Sequence, residues 1–385
     1  VRAVIKKGNP LTSEERRAAR FERRSARRKK QKEKMTDGCD DFERVFSYGH
    51  LYNSYRKCRT GVAWKASVQR YIAQAPLNVA KTQKRLEDGT YRSAGFSEFD
   101  IRERGKTRHI RSVTISERVV QKCLCDYAMV PMLGRTFIYD NGASLKDRGY
   151  HFSIRRLCQH LREHYRKHGT EGYILLFDFS KFFDRVSHKL IEKILRKEFT
   201  DRKILGLAMH FVRMFGDVGI GLGSQISQTL ALASANRLDH YVKEVLRIRG
   251  YGRYMDDGYL IHHSKEYLRT CLDCIREICK ELEITLNEKK THIVKISHGF
   301  TYLKARFFLL PGGRVLKRIC KASITRERRK LKAFARLMEA GRMKREDFET
   351  SFQSWRAYAQ NFQSYHTVRN MEALYENLLC KGGAQ

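Results

Sequence analysis

The chain has 385 residues, with 78 Lys and Arg against 42 Asp and Glu and a formal net charge of +36. Hydrophobic residues make up 42%, enough to bury a real core in two or three modest domains and to exclude a disordered chain. No apolar run approaches the roughly 18–20 residues of a membrane span and no secretory segment opens the chain, so the positive excess predicts nucleic acid as partner before an anionic membrane surface.

In chain order, residues 12–34 hold eleven basic and four acidic residues with almost no apolar stripe. Thr12 and Glu15 have the form of a capping box, so this is a solvated helix, a nucleic-acid arm, or both. Residues 40–96 read as largely helical and aromatic-rich. "FSEFDIRERGKTRHI" predicts two short strands around Gly105, and "SERVVQKCLCDYAMVPML" a helix capped by Ser116. Ile154, Leu157, Leu161 and Tyr165 form a helical stripe ended by Gly169. "YILLFDFS" is a continuous apolar run with β character, which predicts a buried strand, and "SQTLALASANRLDHYVKEVL" predicts a helix. "YGRYMDDGYLIHHS" reads as strand, turn, strand, with Asp257-Gly258 as the turn signal. The stripe Tyr267, Cys271, Cys274, Ile275, Ile278, Cys279 and Leu282 makes the next helix, its thiols read as core residues because no second C-x-x-C completes a zinc site. Free thiols fit a reducing cytoplasm. "THIVKIS" and "FTYLKARFFLL" read as extended, Pro311-Gly312-Gly313 as a turn, and Arg314 to Arg336 as a basic helical region with an apolar face of Leu331, Phe334 and Leu337. The middle order of strand, helix, hairpin, helix, strand predicts an α+β fold, an antiparallel sheet backed by helices.

Asp256 and Asp257 stand side by side in an apolar setting. Two like charges at a hairpin repel unless a cation neutralises them. A third acid, Asp178, ends the strand "YILLFD". If that strand pairs beside the hairpin, three carboxylates meet at strand ends, a hard-oxygen set suited to Mg²⁺ that keeps coordination places for phosphate oxygens. Two such ions about 4 Å apart would serve phosphoryl transfer. The plain alternative is a turn with exposed acids.

Tyr254–Asp257, Y-M-D-D, resembles the second catalytic motif of reverse transcriptases, and "FDFSKFFDRVSH" (177–188) their first. "RERGKTRHI" followed by "ERVVQKCL" is similar to the fingers segment of bacterial and group II intron enzymes, and "LNEKKT" (286–291) to the motif after the hairpin. The resemblance spans roughly 97–310, in order. It implies a right-hand polymerase fold: a basic N-terminal arm (1–38), fingers with part of the palm (39–170), palm (171–310) and helical thumb (311–385). It implies RNA-templated DNA synthesis from deoxynucleotide triphosphates, with template RNA and an RNA/DNA duplex as partners. Carried over by position, Asp178, Asp256 and Asp257 would hold two Mg²⁺, with Mn²⁺ able to substitute. Phe183 would be the gate against a ribose 2′-hydroxyl, and Lys106 and Arg108 would clamp the triphosphate unless they are plain surface charges. Lys290, with Lys289 as its local competitor, would protonate the leaving pyrophosphate.

Two departures stand out. "LGSQISQ" (222–228) replaces the Q-G-x-x-x-S-P form of most intron and retroviral enzymes and is similar to that of diversity-generating retroelements, which copy template adenines with errors and work with a small basic accessory protein. Leu222, Gly223 and Gln228 would thus lie against the nascent base pair. "TYLKAR" (301–306) has Lys304 where relatives often have Gly, in the region that grips the primer with Arg306. Arg326, Arg329 and Lys330 would hold the duplex backbone. The expected setting is the cytoplasm, with a bacterial or phage-encoded origin. An antiphage-defence or group II intron-like reverse transcriptase is the enzyme alternative, and an RNA-binding, splicing-assistance protein on a polymerase fold is the alternative from another class.

Overall fold

Thr12 opens the first described helix, Ser13–Thr36, through the expected capping box: its N–H donates to the Glu15 carboxylate (2.7 Å) and its hydroxyl accepts the Glu15 N–H (3.2 Å). The computed structural model describes residues 12–103 and 106–382; residues 1–11 of the predicted arm and Gly105 lie outside them. The protein mixes helices with three antiparallel sheets. It divides into two compact units. One holds the described residues up to Phe137 together with Phe183–Ser234; the other holds Ile138–Phe182 and the chain from Ala235 on. The expected boundaries at 170 and 310 do not coincide with this division.

In the first unit, β1 (Phe96–Glu103) and β2 (Lys106–Val113) pair in unbroken register as the predicted two strands. The next helix, Ile115–Leu124, is capped by Thr114 rather than by Ser116. Thr114 stands three residues before Glu117 and accepts its N–H (3.4 Å), whereas Ser116 already lies inside the first turn. The helix then widens into a π-turn at Cys125–Met129, just before Pro131, which has no N–H to continue an α ladder. The long helix predicted from "SQTLALASANRLDHYVKEVL" is cut into Gln225–Ser234 and Asn236–His240, with a π-turn at Tyr241–Val245.

In the second unit, β3 (Tyr173–Asp178), β4 (Gly250–Tyr254), β5 (Asp257–His262) and β6 (His292–Lys295) form a sheet in the order β4-β5-β3-β6. β3 is flanked on both edges, which is why its sequence is apolar without alternation. Ile154, Leu157 and Leu161 of the helix Tyr150–His168 are buried, as are Cys271, Ile275 and Cys279 of the helix Lys265–Glu281. Tyr267 departs from its predicted stripe and is partly exposed. The second sheet is β7 (Phe300–Tyr302), β8 (Ala305–Leu309) and β9 (Val315–Ile319). The run "FTYLKARFFLL" is therefore a hairpin, turned at Leu303 and Lys304, which both have left-handed backbone (φ 45° and 63°). The basic region from Arg314 is β9 first and the helix Lys321–Glu339 second, with Leu331 buried but Leu337 exposed. Phe348, Phe352, Trp355 and Met371 of the last helices join one core with Ile174, Tyr259 and Phe307. Truncating one such aromatic to Ala costs about 3–5 kcal/mol in a packed core.

Candidate active site

The site is built at one end of β3 and β5. Tyr254 pairs with Asp257, so the turn of the β4–β5 hairpin is Met255-Asp256 and not Asp257-Gly258. Met255 takes the left-handed conformation itself (φ 56°). Gly258 is needed for a different reason: a Cβ there would sit 2.1 Å from Cζ of Phe177 on β3. The ring of Phe177 thus lies directly over the backbone of β5. This register places Asp178 opposite Asp257. The N–H of Phe179 donates to the carbonyl of Asp256 (3.1 Å), and the Tyr302 hydroxyl donates to that of Asp257 (3.5 Å), so the acidic turn is tied down from two sides.

Asp178 is 5% exposed. One carboxylate oxygen accepts the Lys290 ammonium (2.7 Å), and the other accepts the side-chain amide of Asn287 (3.2 Å). Asn287 also donates its backbone N–H to the Asp178 carbonyl (2.8 Å), which fixes the "LNEKKT" segment against β3. Burial pushes the Asp257 carboxyl up to about 7, and the charges of Asp256 and Asp178 push the same way. Burial and then Asp178 raise Asp256 as well, against the pull of Lys290 and Arg253. Burial alone would lower the Lys290 ammonium, but its hydrogen bond to Asp178 and the three acid charges outweigh that and raise it. Three acids crowded into a partly dry site, two of them held above the ordinary carboxyl range, are a poor structural element and a good cation site. Among the described residues no three His, Cys, Asp or Glu groups stand as a ready-made set that could hold a metal ion on its own. Magnesium does not need one, since it is bound through one or two carboxylates with water and substrate phosphates completing the shell. The donor chemistry therefore fits the expected ion.

Beneath the turn lies a fully buried ion pair. The Arg253 guanidinium donates to both oxygens of Asp239 (2.7 and 2.6 Å), and neither side chain is exposed. The Tyr251 hydroxyl also donates to Asp239 (2.5 Å), while the remaining Arg253 nitrogen donates to the carbonyl of Met255 (2.7 Å). Burial works against the guanidinium charge, but Asp239 overrides it and raises the pKa of Arg253. Neither Asp239, Arg253 nor Asn287 was marked by the sequence. Asp239 lies in the polar turn NRLDH beside Asn236, Arg237 and His240, so its sequence neighbours give no signal that it is buried.

The other expected site residues fall as follows. Lys106 and Arg108 lie on β2, with side chains outside the described part. Phe183 is half-buried and its carbonyl accepts the N–H of Ile220 (2.9 Å); with Gly219 N–H donating to Val186 (2.9 Å), this ties 183–186 to the segment before Leu222. Leu222 is half-buried, and Gly223 has φ 110°, a conformation open to glycine. Ser224 donates to Gln121 (3.0 Å) and Gln225 accepts from Lys122 (2.9 Å), holding "LGSQISQ" on the helix Ile115–Leu124. Gln228 is exposed one turn further on. Lys304 is exposed at the β7–β8 turn, and the Arg306 guanidinium stands 5.1 Å over the Phe308 ring. Arg326 and Arg329 are exposed, whereas the Lys330 ammonium is taken by Glu327 (2.8 Å).

Residues 97–307, more than half of the chain, match the family described as reverse transcriptase (RNA-dependent DNA polymerase). Protein YkfC of Escherichia coli (strain K12) is 25% identical over 248 residues, which cover 52% of this chain and 63% of that protein. Similar solved structures include apo telomerase from Candida tropicalis truncated from its C-terminal domain (14% identity, 58% of this chain and 55% of that chain, TM-score 0.43). Telomerase from Candida albicans in complex with a TWJ fragment of telomeric RNA is another (11% identity, 65% and 52%, TM-score 0.46). Among the described residues no helix is long and apolar enough to cross a membrane.

Proposed function

The chain belongs to the reverse transcriptase (RNA-dependent DNA polymerase) family, and we propose that it makes cDNA from an RNA template as the error-prone enzyme of a bacterial, diversity-generating retroelement. As an RNA-directed DNA polymerase it is a nucleotidyltransferase. The observation that supports chemistry here, rather than RNA binding alone, is the acid cluster: Asp178 opposite Asp257 with Asp256 at the turn. A protein that only gripped phosphates would gain nothing from acids facing them.

Asp178, Asp256 and Asp257 would hold two Mg²⁺. Bound there, the ions supply charge stabilisation for the attacking and leaving oxygens of nucleotidyl transfer. The residues of the chain do the rest. Lys106 and Arg108 orient the triphosphate. Phe183 fills the space a ribose 2′-hydroxyl would need. Leu222, Gly223 and Gln228 lie against the templating base, Lys304 and Arg306 against the primer, and Arg326 and Arg329 along the duplex backbone. Lys330, held by Glu327, is a weaker candidate for that grip. Lys290 keeps a proton within reach of the acid site. The units of function would be fingers, palm and thumb, with a small basic accessory protein as further partner.

Primer extension on a defined RNA template with Mg²⁺ and four deoxynucleotides tests this reading. Full-length cDNA with errors concentrated at template adenines is expected; accurate cDNA would retain the polymerase and remove the diversity-generating subtype. Replacing Leu222 with Gln should raise accuracy opposite template adenine, read by sequencing the products, and an unchanged error spectrum breaks the link between "LGSQISQ" and fidelity. Phe183→Ala should admit ribonucleotides, measured as the ratio of kcat/KM for the two sugars; unchanged selectivity contradicts the gate. Lys290→Gln should lower kcat by about 100-fold, the usual contribution of a general acid, with KM little changed. An equal loss in Lys289→Gln would move the role away from Lys290.

A further inference from the structure

The sheet that carries the acids has a second concentration of chemistry at its other end. β3 and β5 place Asp178 opposite Asp257 at one end and Tyr173 opposite His262 at the other. Five residues at about 3.3 Å each separate the two ends by roughly 17 Å. At the far end lies a cavity of about 580 Å³, within the size range of small-molecule sites. Its walls are the end of the helix Tyr150–His168, the segment 246–250 leading into β4, and the junction of β5 with the helix Lys265–Glu281.

Five imidazoles line it, His160, His164, His168, His262 and His263, and the last four form a continuous series of ring contacts. His164 and His168 have centroids 5.1 Å apart, His168 and His263 4.6 Å at 23°, and His263 and His262 4.3 Å; His262 continues onto Tyr267 at 4.6 Å. The stack is anchored at both ends. His164 donates from Nε2 to the Glu171 carbonyl (2.7 Å), and Nδ1 of His262 accepts the Ser264 N–H (3.1 Å). Burial, and then the neighbouring imidazoles, lower the pKa of both His164 and His262. At neutral pH the rings of His164 and His262 are therefore uncharged aromatic surfaces. His168 and His263 are stacked and the other pairs are tilted against one another, and among the described residues no three His, Cys, Asp or Glu groups could hold a metal ion here.

Around the stack the lining is cationic. Arg166 and Lys167 sit at a helix C-terminus, where the helix dipole alone would recruit them. Arg247 and Arg249 have no such reason to be there, and both are exposed. Arg247 is moreover held at φ 51°, a conformation that side-chain-bearing residues avoid. The acid on the lining is Glu163; Glu171 is paired with Lys295 (3.0 Å). Flat aromatic rings beside two exposed guanidinium groups are the composition that binds single-stranded nucleic acid, bases on the rings and phosphates on the cations.

We infer that this cavity docks one or two nucleotides of single-stranded RNA, at a site separate from the duplex on which the acids act. The inference rests on reading the chain as an enzyme that copies RNA. Such a site would hold an unpaired part of the template RNA while another part is copied.

The test uses the full chain and a short single-stranded oligoribonucleotide carrying one 4-thiouridine, crosslinked by light and mapped by mass spectrometry. Adducts are expected on peptides containing His168 or His262 to Tyr267, and they should persist under excess primer–template duplex. Arg247→Glu with Arg249→Glu should reduce those adducts by about tenfold, while extension of a pre-annealed primer is retained. His262→Ala with His263→Ala, checked by thermal melting, gives the same readout through the rings without reversing charge. Adducts confined to other basic segments, equal yields in both double variants, or loss of the adducts to duplex competition would each overturn the site. Failure of primer extension with these adducts intact would remove the polymerase reading and leave the docking site standing.

Discussion

Asp256→Asn is expected to lower cDNA synthesis by about 1,000-fold or more while leaving RNA affinity within about twofold, since a metal-held phosphoryl transfer loses several kcal/mol of transition-state stabilisation with its ligand. The side chain keeps its size and loses only its charge, so the turn at Met255-Asp256 should survive. RNA binding, on this reading, would rest on the basic surfaces of a chain with a net charge of +36. Retained synthesis in this variant would remove the metal role of the pair.

The same cluster makes a pH prediction whose sign follows from Asp257. Its folded pKa, pushed up to about 7, lies above the ordinary value of 3.8. Between those limits the folded state binds more protons than the unfolded one, so stability from this group is present in acid and is lost as pH rises through about 7. A divalent ion held by these acids would replace the proton. Mg²⁺ should therefore raise the melting temperature more at pH 8 than at pH 6, and the increment should vanish in Asp256→Asn. Asp257→Asn should melt higher than the native chain without divalent ions at pH 8, because the repulsion that Asp256 and Asp178 exert on the buried Asp257 charge is gone. A Mg²⁺ increment independent of pH would mean that the ion binds elsewhere.

The parts of this site that could be read from the chain are those where composition and geometry agree locally. "YILLFD" is apolar because β3 has neighbours on both edges, and its acid stands out at the end that faces Asp257. The stripe Ile154, Leu157, Leu161 could only be one face of a helix. Where reading failed, a residue served a distant partner instead of its local signal. Asp257-Gly258 has the strongest hairpin signature in the chain, yet Gly258 is there to let Phe177 lie over the strand, and the turn falls to Met255. The turn at Leu303 and Lys304 contains no Gly, Asn or Asp, so nothing local announced it. Ser116 looked like a cap, but the N–H to be capped belongs to Glu117, three residues from Thr114. Asn287 and Asp239 act on residues 109 and 14 positions away, distances over which a single sequence gives no register.

Asp239→Ala is expected to cost about 3–5 kcal/mol, because it strands the buried Arg253 charge and leaves the Tyr251 hydroxyl without its acceptor. Urea denaturation measures this as a fall in midpoint at constant m, and a loss under about 1 kcal/mol, the worth of a surface pair, would mean that water reaches the guanidinium. No pH dependence near neutrality should accompany it. The folded pKa of Arg253 is raised above a value that is already far into alkali, so the stability of the pair is fully present below that value. Replacing both partners by Asp239→Leu and Arg253→Met should restore much of the stability, since a buried ion pair competes poorly with apolar packing. It should not restore synthesis. The bond from Arg253 to the Met255 carbonyl holds the residue just before the two acids in its left-handed conformation, and apolar side chains cannot replace it. A double variant that is stable but slow, with RNA affinity unchanged, would separate positioning of the acids from support of the fold; recovery of both together would assign the pair to stability alone.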